Sequence, residues 1–231
     1  MSQDYITFMG PHHLLYLAIL LVLTILIIFM RSHIHQHFNR WRWIIFIVSL
    51  CQQAMLYGTY LTQGFPLSEA LPPHISRINS LLGIFCLLTL NTKTIKIFTL
   101  LSSFAWLSFI YPSRVTPIYD PLGLSFLINH CVTVLLPYVF YFYRPFTLSK
   151  KDLGKTSIVF LSYLILVLVI NPLVNGNYFY LQSKPIIPQA PTWLYLLVSV
   201  LIALILFIIQ YLIFNRIITH KQVFIPLEED L

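Results

Sequence analysis

The chain has 231 residues, 58% of them hydrophobic and only 9% charged, where a soluble domain carries about a quarter charged residues. That composition excludes an ordinary soluble globular domain, and apolar stretches long enough to cross a bilayer recur along the whole length. The formal net charge of +7 does not indicate nucleic acid, because the basic residues form no single patch and sit instead at alternate ends of the apolar stretches.

The sequence predicts an all-α fold, a polytopic membrane helix bundle forming one transmembrane domain over residues 1–231, with about seven spans. The first, 12–30, follows MSQDYITFMGPHH, which carries no Lys or Arg; it reads as a retained span and not a cleaved signal peptide. The second, 42–62, holds Gln52 and Gln53 near its middle. The third, 70–90, contains Pro72-Pro73, after which a helix can start cleanly. The fourth, 95–111, carries three serines and a threonine and is expected inside the bundle. The fifth covers 122–143, the sixth 156–174 and the seventh 193–214; the fourth and sixth are the shortest. Proline-containing connections separate several of them, at Gly64-Phe65-Pro66, 112–121 and 185–191.

Orientation follows from the basic residues. Arg31, Arg40, Arg42, Lys93, Lys96, Arg144, Lys150, Lys151, Lys155, Arg216 and Lys221 are 11 of the 14 Lys and Arg, and all fall on one side if the N-terminus is outside and the C-terminus cytoplasmic. Only Arg114 and Lys184 occupy the opposite connections, and Arg77 lies within the third span. The positive-inside rule selects this orientation, which makes Glu228, Glu229 and Asp230 a short cytoplasmic tail. Cys51, Cys86 and Cys131 all lie in apolar segments without metal-ligand spacing, so free thiols are expected. No metal site and no cofactor are expected.

Polar side chains at membrane depth are costly and usually face the bundle interior. They are His13, Gln52, Gln53, His74, Ser76, Arg77, Asn79, His130 and Asn171. With about 1.5 Å of rise per residue, Ser76 in the third span and His130 in the fifth lie at roughly 9 and 12 Å below the outer surface, close enough to meet. Asn171, near the outer end of the sixth span, reaches a similar level. Ser76, Asn79, Ser80 and Gly83 share one helical face; His74 and Arg77 share another. His74 is therefore badly placed to deprotonate Ser76, and the base must come from a second helix. The ordinary alternatives are that Ser76 bonds its own i−4 carbonyl, that Gln52, Gln53 and Asn129 are interhelical glue, and that His33, His35 and His37 are a solvated part of the cytoplasmic charge.

Several patches resemble the YwaF-like family of small bacterial integral membrane proteins: GPHHLLYLAI at 10–19, LPPHIS at 71–76, FLINHC at 126–131, NYFYLQSKP at 177–185 and PTWLY at 191–195. Together they cover nearly the whole chain, and NYFYLQSKP is the most specific. The resemblance implies a relation to animal transmembrane phospholipid acyltransferases with a cysteine nucleophile and a histidine partner, and a multi-pass location in a bacterial plasma membrane. The matching positions are Ser76 and His130, with serine where cysteine is usual. That exchange is demanding, because an alcohol ionises far less readily than a thiol and needs a well-placed base and an oxyanion stabiliser.

Two function classes follow. One is a lipid or acyl transferase, or an acyl hydrolase, acting in the outer half of the bilayer with Ser76 and His130 as catalytic pair; His13, His74, Arg77, Asn79, Asn171, Asn177 and Lys184 are then its substrate-binding candidates and membrane lipids its partners. The other is a non-catalytic cell-envelope accessory protein, with a protein partner in the membrane, or a transporter of small solutes or lipids. The loop 177–191, stiffened by Pro185, Pro188 and Pro191, is expected either to fold over the outer mouth as a lid or to lie flat as an interfacial anchor. No nucleic acid partner is expected.

Overall fold

A computed structural model describes residues 5–185 and 187–221, with side chains through Arg216. The acidic end expected as a cytoplasmic tail lies outside the described residues. Among those described, every regular element is helical: α1 (Pro11–Phe29), α2 (Arg31–Gln36), α3 (Phe38–Thr62), α4 (Leu67–Ala70), α5 (Ile75–Thr89), α6 (Thr92–Leu101), α7 (Phe104–Ile110), α8 (Pro121–Tyr143), α9 (Lys150–Val174) and α10 (Thr192–Lys221), with a 3-10 turn at Tyr178–Tyr180. Six helices are long and apolar enough to cross a membrane, counting α6 and α7 together; α5, with 15 residues, is a shorter apolar helix.

The helix ends sort onto two faces. On one, Ile6 N–H donates to the Val115 carbonyl (2.8 Å), Tyr178 bonds the main chain at Leu67 and Leu71, and Arg114 donates to Ser183. On the other, His35 bonds the Phe142 carbonyl, Arg42 caps the last carbonyls of α5, Lys96 approaches Asp152 and Asn215 bonds Leu148. Among the described residues, six long apolar helices and the shorter α5 carry the chain between these faces, and the second face is the basic one.

Helix α8 is buried over 67% of its apolar stretch, α1 and α10 over 17%, so α8 is the centre and the other two lie on the rim. Their exposed leucines and isoleucines suit a lipid environment. Helix α8 starts at Asp120, whose carboxylate caps the Leu122 N–H. Gly123 then passes so close to the 116–117 backbone that a Cβ there would lie 2.1 Å from the Pro117 carbonyl oxygen. Polar ties join the central helices: Gln52 donates to Ser125 (2.7 Å) and Gln53 to Ser80 (2.8 Å), linking α3 to α8 and α5. The interior position expected for the fourth segment also holds. Its Ser102 and Ser103 turn their hydroxyls onto the carbonyls three residues back and separate α6 from α7, a known cause of helix interruption. Cys51, Cys86 and Cys131 are free thiols.

Two expected boundaries differ. The sixth segment is not short, because α9 takes in the basic residues from Lys150 onward: Ser149 and Asp152 form a reciprocal capping box that starts it six residues earlier. The short span is the third. Residues 71–74 form a bend and turn, so α5 begins at Ile75 and Ser76 is its second residue, not its sixth.

Candidate functional site

The segment before α5 is irregular backbone at the end of the bundle, held by side chains from three directions. Tyr163 of α9 donates to the Pro73 carbonyl (3.0 Å). The Tyr178 hydroxyl donates to the Leu67 carbonyl (2.6 Å) and accepts from the Leu71 N–H (3.1 Å). Arg77 donates to the Glu69 and Leu71 carbonyls and to the Tyr60 hydroxyl (2.6 Å), its guanidinium lying 4.9 Å from the Tyr60 ring centre. Irregular backbone in an apolar setting is tolerated where protein groups satisfy it, and these do. The result is a helix N-terminus presented inside the bundle.

Ser76 follows directly. The carbonyl four residues back belongs to Pro72, outside the helix, so the usual hydroxyl bond of a helical serine is unavailable. Thr24, Ser49, Thr59, Thr89, Thr99 and Ser157 all make that i−4 bond; Ser76 does not. The main chain of Ser76 is fixed from α8, where the Asn129 amide donates to the Ser76 carbonyl (3.3 Å).

The residue after Asn129 is His130. Its Nδ1 sits 2.8 Å from the Phe126 carbonyl, an acceptor, so Nδ1 carries the proton and Nε2 keeps its lone pair. The imidazole is flanked by the Phe126 ring at 3.9 Å and the Phe109 ring edge-on at 6.2 Å, which fixes its plane. Ser76 and His130 line the same small cavity, with Asn79, Ser108 and Thr133 as further polar walls. Its volume is about 10 Å³, room for one water molecule at most.

Asn79 is 1% exposed and donates to the Leu101 carbonyl (3.0 Å), while its Oδ1 has no partner. The carbonyl it faces sets the orientation, since a flipped amide would oppose two acceptors. The group that Asn79 leaves unpaired beside the cavity is therefore an acceptor, its Oδ1, and not a donor. In the first turn of α5, Arg77 and Ile78 N–H bond the His74 carbonyl; the Ile75 N–H is taken by the Tyr163 hydroxyl, and the Ser76 N–H has no intrahelical acceptor within reach.

The other sequence-selected residues lie elsewhere. His13 uses both nitrogens on the main chain, donating from Nε2 to the Phe109 carbonyl (2.7 Å) and accepting from Met9 N–H (3.0 Å); it joins α1 to α7. His74 stands edge-on to Tyr178 at 4.8 Å. Asn171 clamps Tyr178 by both main-chain groups, at 2.8 and 2.9 Å. Asn177 organises its own loop by accepting from Gln182 and Ser183 N–H and donating to the Ser183 hydroxyl. Lys184 is half-buried in that loop. Tyr178 itself is fully buried, and burial pushes its phenol above the ordinary value. The loop thus folds back against the residues preceding α5, and Tyr180 reaches the Ser113 carbonyl at 3.4 Å. Ser108 and Thr133 escaped notice in the sequence, although Thr133 lies three residues after His130 and so shares its face.

A bundle of apolar helices with polar side chains turned inward is a polytopic α-helical membrane protein. Residues 8–212 match the TMEM164 family, and the chain belongs to that family, a family of transmembrane proteins. No curated protein matches the chain, and no solved structure matches it.

Proposed function

We propose that the protein is a membrane-embedded lipid acyltransferase or acyl hydrolase, with Ser76 as nucleophile and His130 as general base, working in the outer half of the bilayer. The observation that carries this reading is the cavity shared by an unbonded Ser76 hydroxyl and a His130 whose Nδ1–H is anchored, leaving Nε2 as the acceptor. The resemblance to acyltransferases with a paired nucleophile and histidine supports the same two positions.

In the proposed step the Ser76 Oγ attacks an acyl carbonyl while its proton passes to His130 Nε2. The ester or thioester bond of the donor breaks, the leaving group takes that proton, and the acyl group remains on Ser76. An acceptor hydroxyl or water then reverses the sequence, losing its proton to His130. Developing negative charge on the acyl oxygen would be met by the Ser76 N–H and the positive end of the α5 dipole. Asn79, which lines the cavity and has an unpaired Oδ1, would orient the attacking hydroxyl or a water. Arg77 makes two bonds to the preceding loop and one to Tyr60 of α3, and positions Ser76 rather than touching substrate.

The size of the cavity favours a second reading, a non-catalytic membrane protein or a transporter, because an acyl chain does not fit in the space of one water. Under the enzyme reading α5 and α7 must part to admit substrate, a gating motion of the usual kind. A fluorophosphonate carrying an alkyl chain tests the choice. Covalent labelling of Ser76, suppressed at least a hundredfold in His130→Ala, supports the enzyme; absence of labelling in liposomes that retain the folded wild-type protein supports the alternative.

A further inference from the structure

At the opposite, basic end of the bundle lies a second and larger cavity, unrelated to Ser76 and His130. Its volume is about 540 Å³, within the range of small-molecule sites. The turn between α5 and α6, the end of α8 and the link 144–147 enclose it, and Lys96, Arg144, Thr92, Phe140, Tyr143 and Phe146 are among its walls.

The walls divide by chemistry. One side is aromatic and rigid: Tyr143 stacks on Phe38 at 3.7 Å with the rings 6° from parallel, and Phe146 stacks on Phe214 at 5.7 Å. The other side is cationic. Arg144 is exposed and has no ion pair among the described residues. Lys96 has only a long approach to Asp152, 3.9 Å, and that carboxylate oxygen already accepts from the Ser149 N–H and hydroxyl at 2.8 and 2.7 Å. The start of α6 adds the positive end of a helix dipole. Asn91 caps the Lys93 and Thr94 N–H groups, which leaves the Thr92 N–H without a cap at the cavity wall.

We propose that this cavity binds the phosphate headgroup of an anionic glycerophospholipid from the leaflet at the basic face. Lys96, Arg144 and the first turn of α6 take the phosphate, and Phe140, Tyr143 and Phe146 take the glycerol and the first methylenes of the acyl chains. Charge complementarity selects the occupant: two cations face the cavity, and the nearest carboxylate is already hydrogen-bonded elsewhere. Basic pockets between helix ends on the cytoplasmic side are where such headgroups bind. The aromatic half distinguishes a lipid from a free phosphate, which would leave those rings unused.

The test uses the full chain purified in detergent with equal amounts of phosphatidylglycerol, phosphatidylethanolamine and phosphatidylcholine, and reads retained lipid by native mass spectrometry. Wild type should retain phosphatidylglycerol preferentially. Arg144→Gln should lower that retention about fivefold, the effect of one cation at a membrane surface, and Lys96→Gln with Arg144→Gln roughly twentyfold. Among the described residues the Arg144 side chain has no ion pair whose loss would destabilise the fold, so the single variant remains informative if the double one is unstable. Ser76→Ala should retain phosphatidylglycerol as wild type does, which separates this site from the proposed acyl chemistry. Equal retention of the three lipids, or unchanged retention in Arg144→Gln, overturns the proposal. So does displacement of phosphatidylglycerol by equimolar sn-glycerol 3-phosphate, which would show a small-anion site.

Discussion

The Asn129 side-chain amide reaches the Ser76 carbonyl across 3.3 Å, so the residue beside His130 in sequence grips the residue that His130 is proposed to activate. One position on α8 thereby sets the register between the two helices, and the Thr133 hydroxyl in turn donates to the side-chain Oδ1 of Asn129 at 3.4 Å.

Replacing Asn129 with Ala should therefore separate positioning from folding. A single interhelical hydrogen bond in an apolar setting contributes about 0.6 kcal/mol, rarely above about 1.7, so the thermal midpoint should fall only slightly. Labelling of Ser76 by an alkyl fluorophosphonate should slow by roughly tenfold or more, because misplacement of about 1 Å carries a large rate penalty. Asn129→Asp keeps the acceptor for Thr133 but loses the donor, and should behave like Ala in the labelling assay. Unchanged labelling in both variants would deny Asn129 its positioning role.

The Tyr178 hydroxyl is the second critical contact, since it serves two main-chain groups of the segment that ends at α5. Tyr178→Phe keeps the ring against His74 but strands the Leu71 N–H and removes the donor to Leu67. The two main-chain groups are part-buried, so leaving them unpaired should cost about 1 kcal/mol, the low end for an unsatisfied group. The variant should unfold at a lower temperature in detergent, and protease should cut first near residues 67–74. An unchanged midpoint would mean that the 177–185 loop is only loosely seated.

The helices themselves were legible in the sequence because hydropathy acts over twenty residues at a time, and the clustering of basic residues at one end of the bundle followed from their spacing. The interior role of the serine-rich fourth segment was legible too. Boundaries were less so. The start of α9 depends on the Ser149–Asp152 capping box, a four-residue signal masked by the surrounding lysines, and the start of α5 depends on tertiary bonds from Tyr163, Tyr178 and Arg77. The cavity that Ser76 shares with His130 does not follow from depth, because a count from residue 70 misplaces Ser76 in a helix that starts at Ile75. That Asn79 leaves an acceptor unpaired could not be anticipated either, because it follows from where the Leu101 carbonyl happens to lie. The larger cavity at the basic face was invisible in the sequence, since its walls come from separate turns and helix ends.

The two faces give a direct test of topology. Cysteines introduced near Gly64 and near Asn177, in a background without Cys51, Cys86 and Cys131, should react with an impermeant maleimide added outside intact cells. One introduced near Ser149 should react only after permeabilisation. The positive-inside rule depends on Lys and Arg in short loops, and the basic face carries them here. Labelling of the Ser149 position from outside would invert the bundle and move the proposed acyl chemistry to the other leaflet.

Arg77 provides the last test, because its charge is buried with no carboxylate bonded to it among the described residues. Its fork instead serves two carbonyls and the Tyr60 hydroxyl, and its face lies over the Tyr60 ring. A guanidinium does this with donors in one plane; the ammonium of Lys is a point charge that cannot reproduce the geometry. Arg77→Lys should therefore destabilise the protein by about 1.5–3 kcal/mol, the range for hydrogen bonds to a charged group, despite unchanged charge. Arg77→Met should be no less stable than the Lys variant if desolvating the charge offsets its bonds. Both should weaken labelling of Ser76 in the same proportion, since each frees the loop that fixes the first turn of α5. If Lys restored labelling while Met abolished it, the charge itself would act on substrate, and Arg77 would move from positioning the nucleophile to binding the headgroup.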